Sequence, residues 1–139
     1  IDADIQQLIE VCGYTPEQGT TTIGLAVGLK KFGFNVQFYT DPDPDLQDAE
    51  KLSYDEAEQL KLPVLAAIGY QQIQHAFDEN KFIIVYYDTL EGVGNHSLLY
   101  SIDDAEICFF DSFEPMPAAV FEQQRQQEGI CRQVIVVEV

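Results

Sequence analysis

Basic residues and long apolar runs are both scarce in this sequence, and each shortage argues against a class of protein. Seven Lys and Arg stand against 24 Asp and Glu among 139 residues, a net charge of −17. A surface of that charge repels phosphate backbones, so we expect no nucleic-acid binding. No apolar run approaches the roughly 20 residues of a membrane helix, so we expect no membrane span.

Cysteine is also scarce, with three residues at Cys12, Cys108 and Cys131. An odd number without short spacings is not a disulfide framework, and no Cys-x-x-Cys metal pair occurs. The sequence therefore predicts neither a metal site nor a cofactor, and a reducing, cytoplasmic compartment is the expectation. Cys108 falls inside the apolar run 107–110, which predicts a buried thiol on a strand.

The remaining composition is that of one globular domain. Hydrophobic residues make up 46% and charged residues 22% of the chain, and the length suffices for a single core over residues 1–139. Two interpretations of the acidic surface remain open. It is either a solvated surface without a specific partner or one that attracts basic peptides.

Apolar periodicity and turn residues predict an α+β fold with N-terminal helices packed on an antiparallel β-sheet. A Thr hydroxyl among residues 20–22 is expected to cap the second helix, and Gly33 to end it. Ser53 is expected to cap the third helix. The predicted helices cover 3–11, 20–32, 54–62, 70–79 and 117–127, and the predicted strands cover 34–40, 64–68, 82–88, 96–102, 106–110 and 133–139.

Two residues at one predicted sheet edge could form a catalytic pair. His96 opens one strand and Asp111 ends the next, and a hairpin turn at 103–104 would bring the two together. A carboxylate there would accept the imidazole N–H and raise the basicity of the other nitrogen, as in a Cys-His-Asp enzyme. On spacing alone, a structural His and Asp remain the alternative. His75, among glutamines on the fourth helix, is expected to be a solvated helix residue.

Three blocks of sequence resemble a known family. They are Gly-Thr-Thr-Thr-Ile-Gly-Leu-Ala at 19–26, Gly-Asn-His-Ser-Leu-Leu-Tyr at 94–100, and the strand 107–111. In this order they are similar to the double-glycine leader (bacteriocin-processing) peptidases of the papain-like cysteine peptidase superfamily. The pattern at 21–40 also resembles the guanylyl-cyclase-like relatives. The resemblance implies a papain-like fold, a peptide or protein substrate, His96 and Asp111 as catalytic residues, and a nucleophilic cysteine at a helix N-terminus.

The resemblance implies that the nucleophile lies on a helix that precedes the one at 20–32, so we expect it before Ile1. Cys12, followed by Gly13 and preceded by Gln6 as a nominal oxyanion donor, is the alternative nucleophile. Against it, Cys12 ends a predicted helix, where no helix dipole lowers a thiol pKa.

Three functions follow from these observations. The first is a cysteine peptidase-type domain that supplies His96 and Asp111 and is inactive as the isolated chain. The second is a non-catalytic peptide-binding domain of the same fold. The third is an acidic interaction protein without a catalytic site.

Overall fold

The structure, a computed structural model, describes residues 21–42, 46, 48–88, 94–110, 112–127 and 130–138. Four helices and seven strands occur in these ranges. In chain order they are α1 (Thr22–Lys31), β1 (Asn35–Thr40), α2 (Asp48–Gln59), β2 (Val64–Ala66), α3 (Tyr70–Asp78), β3 (Phe82–Asp88), β4 (Gly94–Ile102), β5 (Glu106–Phe109), β6 (Ser112–Pro117), α4 (Ala118–Arg125) and β7 (Val134–Glu138). The predicted helix at 3–11 lies outside the described residues.

The strands form one sheet in the order β2-β1-β7-β3-β4-β5-β6. Every neighbouring pair is antiparallel except β1 and β2, which are parallel and are joined through α2. A parallel pair needs such a crossover because its two strands start at the same end of the sheet. The structure confirms the predicted α+β class.

Helices cover both faces of the sheet, and each face has its own core. On one face α1 and α2 pack on β1 and β7, while α3 and α4 cover β3, β4, β5 and β7 on the other. The largest fully buried apolar side chains come from both cores: Phe38, Phe121, Ile23, Ile73, Ile83, Ile107 and Ile135. The alternation of strand side chains between the two faces assigns each strand residue to one core.

Local sequence explains where α1 begins and ends. The Thr21 hydroxyl accepts a hydrogen bond from the Gly24 amide at 3.0 Å, which confirms the predicted threonine cap. Gly33 has a φ of 97° and follows the last turn, with the Phe34 amide bonded to the Leu29 carbonyl. This is the Schellman arrangement in which a left-handed residue ends a helix.

Three predicted features differ in the structure. α2 begins at Asp48, so Ser53 lies inside the helix and does not cap it; Asp48 and Glu50 in its first turn are favoured there by the helix dipole. β6 was not predicted, because two prolines interrupt its strand pattern. Cys108 is half-buried, since its neighbours Ile107 and Phe109 take the core side of β5.

No helix within the described ranges is long and apolar enough to cross a bilayer.

Candidate functional site

His96 lies near the start of β4, on the sheet face that α1 covers. Its strand neighbour Ser97 is buried on the opposite face, where its hydroxyl lies 3.2 Å from that of Tyr87. His96 pairs across the ladder with Tyr86 of β3. The two rings stack with their centroids 4.5 Å apart and their planes 23° apart. This stacking holds the imidazole plane against the sheet.

Thr22, the first residue of α1, contacts the imidazole from above the sheet. Its Oγ1 lies 2.8 Å from His96 Nε2, a hydrogen-bond distance. Thr22 is buried, with 3% of its surface exposed. The adjacent threonines therefore have separate roles, since the hydroxyl of Thr21 caps the helix and that of Thr22 orients His96. Thr22 was not among the predicted site residues, although the run of three threonines was visible in the sequence.

The site favours a neutral imidazole. Burial lowers the pKa of His96 from 6.5 to about 4, because desolvation disfavours the charged form of a histidine. The N-terminus of α1 acts in the same direction, since a helix N-terminus disfavours a nearby cation. At neutral pH His96 therefore has one nitrogen that can accept a proton.

The predicted partners of His96 fall outside the described residues. These partners are Asp111 and Cys12. The predicted contact between His96 and Asp111 therefore stays a prediction. The hairpin that motivated it is present. Asp103 Oδ1 accepts hydrogen bonds from two amides of the turn between β4 and β5, and the Phe110 amide donates to the Leu98 carbonyl at 3.1 Å.

The two described cysteines occupy other parts of the sheet. Cys108 on β5 pairs with Ser101, five positions beyond His96 on β4. Cys131 precedes β7, which β3 separates from β4. His75, expected to be solvated, has 78% of its side chain exposed and lies 3.6 Å from Glu79.

Within the ranges that the structure describes, no group of three His, Cys, Asp or Glu side chains could hold a metal ion. Comparison with family models, curated proteins and solved structures gave no match to this chain.

Proposed function

We propose that this chain is a papain-like, cysteine peptidase-type hydrolase domain that acts on peptide or protein substrates and supplies His96 as its base and Asp111 as the orienting carboxylate. The contact between Thr22 Oγ1 and His96 Nε2 carries the proposal. It holds a neutral imidazole at a helix N-terminus, with the ring fixed by Tyr86. A general base must be held at a fixed position beside the proton that it removes, and these contacts hold the imidazole ring in place.

The tautomer follows from the proposed pairing. A carboxylate only accepts hydrogen bonds and Nε2 faces Thr22, so Asp111 would take the Nδ1–H of His96, which leaves Nε2 as the basic nitrogen. The Thr22 hydroxyl would then donate to Nε2, and it would have to turn away before Nε2 took the proton of a cysteine thiol. Because Thr22 is buried, its hydroxyl is a positioning group, and the covalent step belongs to a cysteine outside the described residues.

The imidazole tautomer tests the pair directly at neutral pH. We expect the ¹⁵N spectrum of His96 to show the Nδ1–H form in the unaltered chain. Asp111→Asn should weaken that preference, because an amide can donate as well as accept. Asp104→Asn, in the exposed turn after β4, is the matched control and should change nothing. An Nε2–H tautomer that does not change with Asp111→Asn would refute the pairing of His96 with Asp111.

The identity of the nucleophile needs a second measurement. Alkylation of each cysteine by iodoacetamide, followed by mass spectrometry across pH, reports which thiol is a thiolate. If Cys12 is the nucleophile, it should react at neutral pH at least about tenfold faster than Cys108 and Cys131, and His96→Ala should abolish the excess. If the three cysteines are labelled at equal rates in the unaltered chain and in His96→Ala, none of them is an activated nucleophile. The chain in isolation should then be inactive.

One observation favours a second function, a non-catalytic peptide-binding domain of the same fold. A base with a pKa of about 4 binds protons weakly, whereas efficient general bases titrate near the working pH. The ¹⁵N experiment separates the two functions, since a non-catalytic histidine needs no orienting carboxylate and would not respond to Asp111→Asn.

A further inference from the structure

We propose that the outer edge of β2 is a docking site for an extended, basic segment of another protein, which adds to the sheet as a further strand. The proposal concerns a surface away from His96, and it does not depend on the proposed hydrolase function.

Among the described residues, the backbone of β2 has no partner on its outer side. β2 stands at the end of the strand order, and within the described part of the chain only β1 pairs with it. Phe38 is aligned with Val64 and donates its amide to the Pro63 carbonyl at 3.0 Å. In a parallel ladder of this register, the N–H and C=O groups of Val64 and Ala66 point away from β1. No described residue pairs with these groups, and the proposal places an incoming strand on them.

The two edges of the sheet are protected to different degrees. At the opposite edge, β6 carries Pro115 and Pro117, which lack the amide that strand addition requires. β2 is short, with three residues directly after Pro63, but it contains neither proline nor a charged residue. Val64 and Leu65 are exposed by 43% and 42%, so apolar surface accompanies the unpaired backbone. This combination marks a site for strand addition.

The acidic charge of the chain argues for a basic occupant. α2, which residues 60–63 join to β2, carries Asp48, Glu50, Asp55, Glu56 and Glu58 against Lys51; Lys61 lies in the link, and Lys31 of α1 pairs with Glu56. A second copy of this chain would bring another −17 to the same edge, and like charges oppose such an association. A basic partner is attracted instead.

The register indicates the pattern of that partner. Val64 is aligned with Phe38, a core residue of the α1 face, and Leu65 with Tyr39, which packs against the core of the other face. Because neighbouring residues of a strand face opposite sides, one side of the added strand would lie beside Leu65 and Tyr39. Apolar residues there, alternating with basic ones, fit both the exposed apolar surface and the charge.

The test uses three short acetylated peptides and the unaltered protein. The first alternates lysine and valine, the second is the same peptide with alternate backbone nitrogens methylated, and the third replaces lysine by glutamate. Amide chemical shifts and hydrogen exchange locate the binding. We expect the first peptide to bind with protection of the Val64 and Ala66 amides. The methylated peptide should bind at least about tenfold more weakly, as expected for two or more lost hydrogen bonds, and the acidic one should not bind.

Variants at the edge complete the test. Ala66→Pro removes an outward amide without removing a bond to β1, so it should weaken peptide binding roughly three- to tenfold. Ala66→Ser keeps the amide and is the matched control. Leu65→Lys should also weaken binding of the basic peptide, through repulsion.

Three results would overturn the proposal. One is equal affinity for the methylated and the unmethylated peptide, because charge alone would then explain the binding. Another is shift changes confined to other surfaces. The third is a dimer in analytical ultracentrifugation that Ala66→Pro abolishes, because the occupant would then be a second copy.

Discussion

The Thr22 hydroxyl and His96 Nε2 lie 2.8 Å apart although 74 positions separate the two residues in sequence. The contact joins the first turn of α1 to β4. It depends on two local features of the structure. Thr21 supplies the helix cap, which leaves the Thr22 hydroxyl for another partner, and the alternation of β4 turns His96 toward α1. A single hydrogen bond thus connects the helix start to the candidate base.

Removing the Thr22 hydroxyl should destabilise the fold. Thr22→Val keeps the branched shape but removes the hydroxyl that contacts Nε2 of the half-buried His96. We expect the free energy of unfolding in urea to fall by about 1–2 kcal/mol at neutral pH. Thr22→Ser retains the hydroxyl and should recover most of the loss. A serine variant as unstable as the valine variant would show that packing, not the hydrogen bond, sets the cost.

Stability should depend on pH through His96. Burial lowers its pKa from 6.5 to about 4, so between these values the unfolded chain binds a proton that the folded chain does not. Stability therefore rises with pH across this window and falls on acidification, by up to about 3 kcal/mol from this group. Urea titrations from pH 7 to 4.5 measure the slope.

His96→Asn should flatten that slope, whereas His75→Asn, at an exposed position, should leave it in place. The pKa of Asp41 is held below its usual value by the hydrogen bond from Arg132, and Asp41 contributes to the slope only at lower pH. Equal slopes in the two histidine variants would contradict the assignment to His96.

Periodicity predicted most of the fold because the elements bury one face each. From Phe82 to Tyr87, β3 alternates exposed or half-buried residues with buried ones, and this pattern was sufficient to place the strand. The sequence did not show that α3 and α4 lie opposite α1 and α2, since an amphipathic helix does not specify which face of a sheet it covers. β6 was missed for a local reason, because edge strands tolerate the prolines that central strands exclude.

The candidate site was predictable only in part. His96 was recognised from its place at a predicted strand start, and it lies half-buried near the start of β4. Thr22 was not recognised, because a threonine in the first turn of a helix is ordinary and its contact with His96 is long-range. The stacking of Tyr86 depends on the β3–β4 register, which hydrophobic alternation constrains only to within two residues.

Replacing Lys61 by glycine should stabilise the protein. α1 and α3 end with Gly33 and Asn80 in the left-handed region, and α2 ends with Lys61 at a φ of 58°. The Leu62 amide bonds to the Ala57 carbonyl, so this end is also a Schellman motif. A side chain costs about 1 kcal/mol in that conformation, and Lys61→Gly should recover roughly this amount on thermal unfolding. Lys51→Gly, within the same helix, should lose about 1 kcal/mol instead.

Arg125 should be among the most sensitive positions in the protein. It is fully buried, and its guanidinium donates to the carbonyls of Ile68 and Arg132 and to the Glu122 carboxylate, at 2.9 to 3.1 Å. Arg125→Met would leave both carbonyls without this donor. Glu122 is partly exposed, so water can compensate its lost partner. The variant also removes Nε, which is buried and has no hydrogen-bond partner among the described residues, and this relief offsets part of the loss.

Three lost bonds outweigh one relieved group, so Arg125→Met should lower the free energy of unfolding by about 2–4 kcal/mol. Arg125→Lys should recover less than half, since one ammonium cannot take the places of Nη2, which donates to both carbonyls, and of Nη1, which donates to Glu122. Arg132→Met is the matched control. Arg132 pairs with Asp41 but is about one-third exposed, so its loss should cost about 1 kcal/mol or less. If urea denaturation finds the two methionine variants equally stable, the carbonyl contacts of Arg125 do not hold α4 against the sheet.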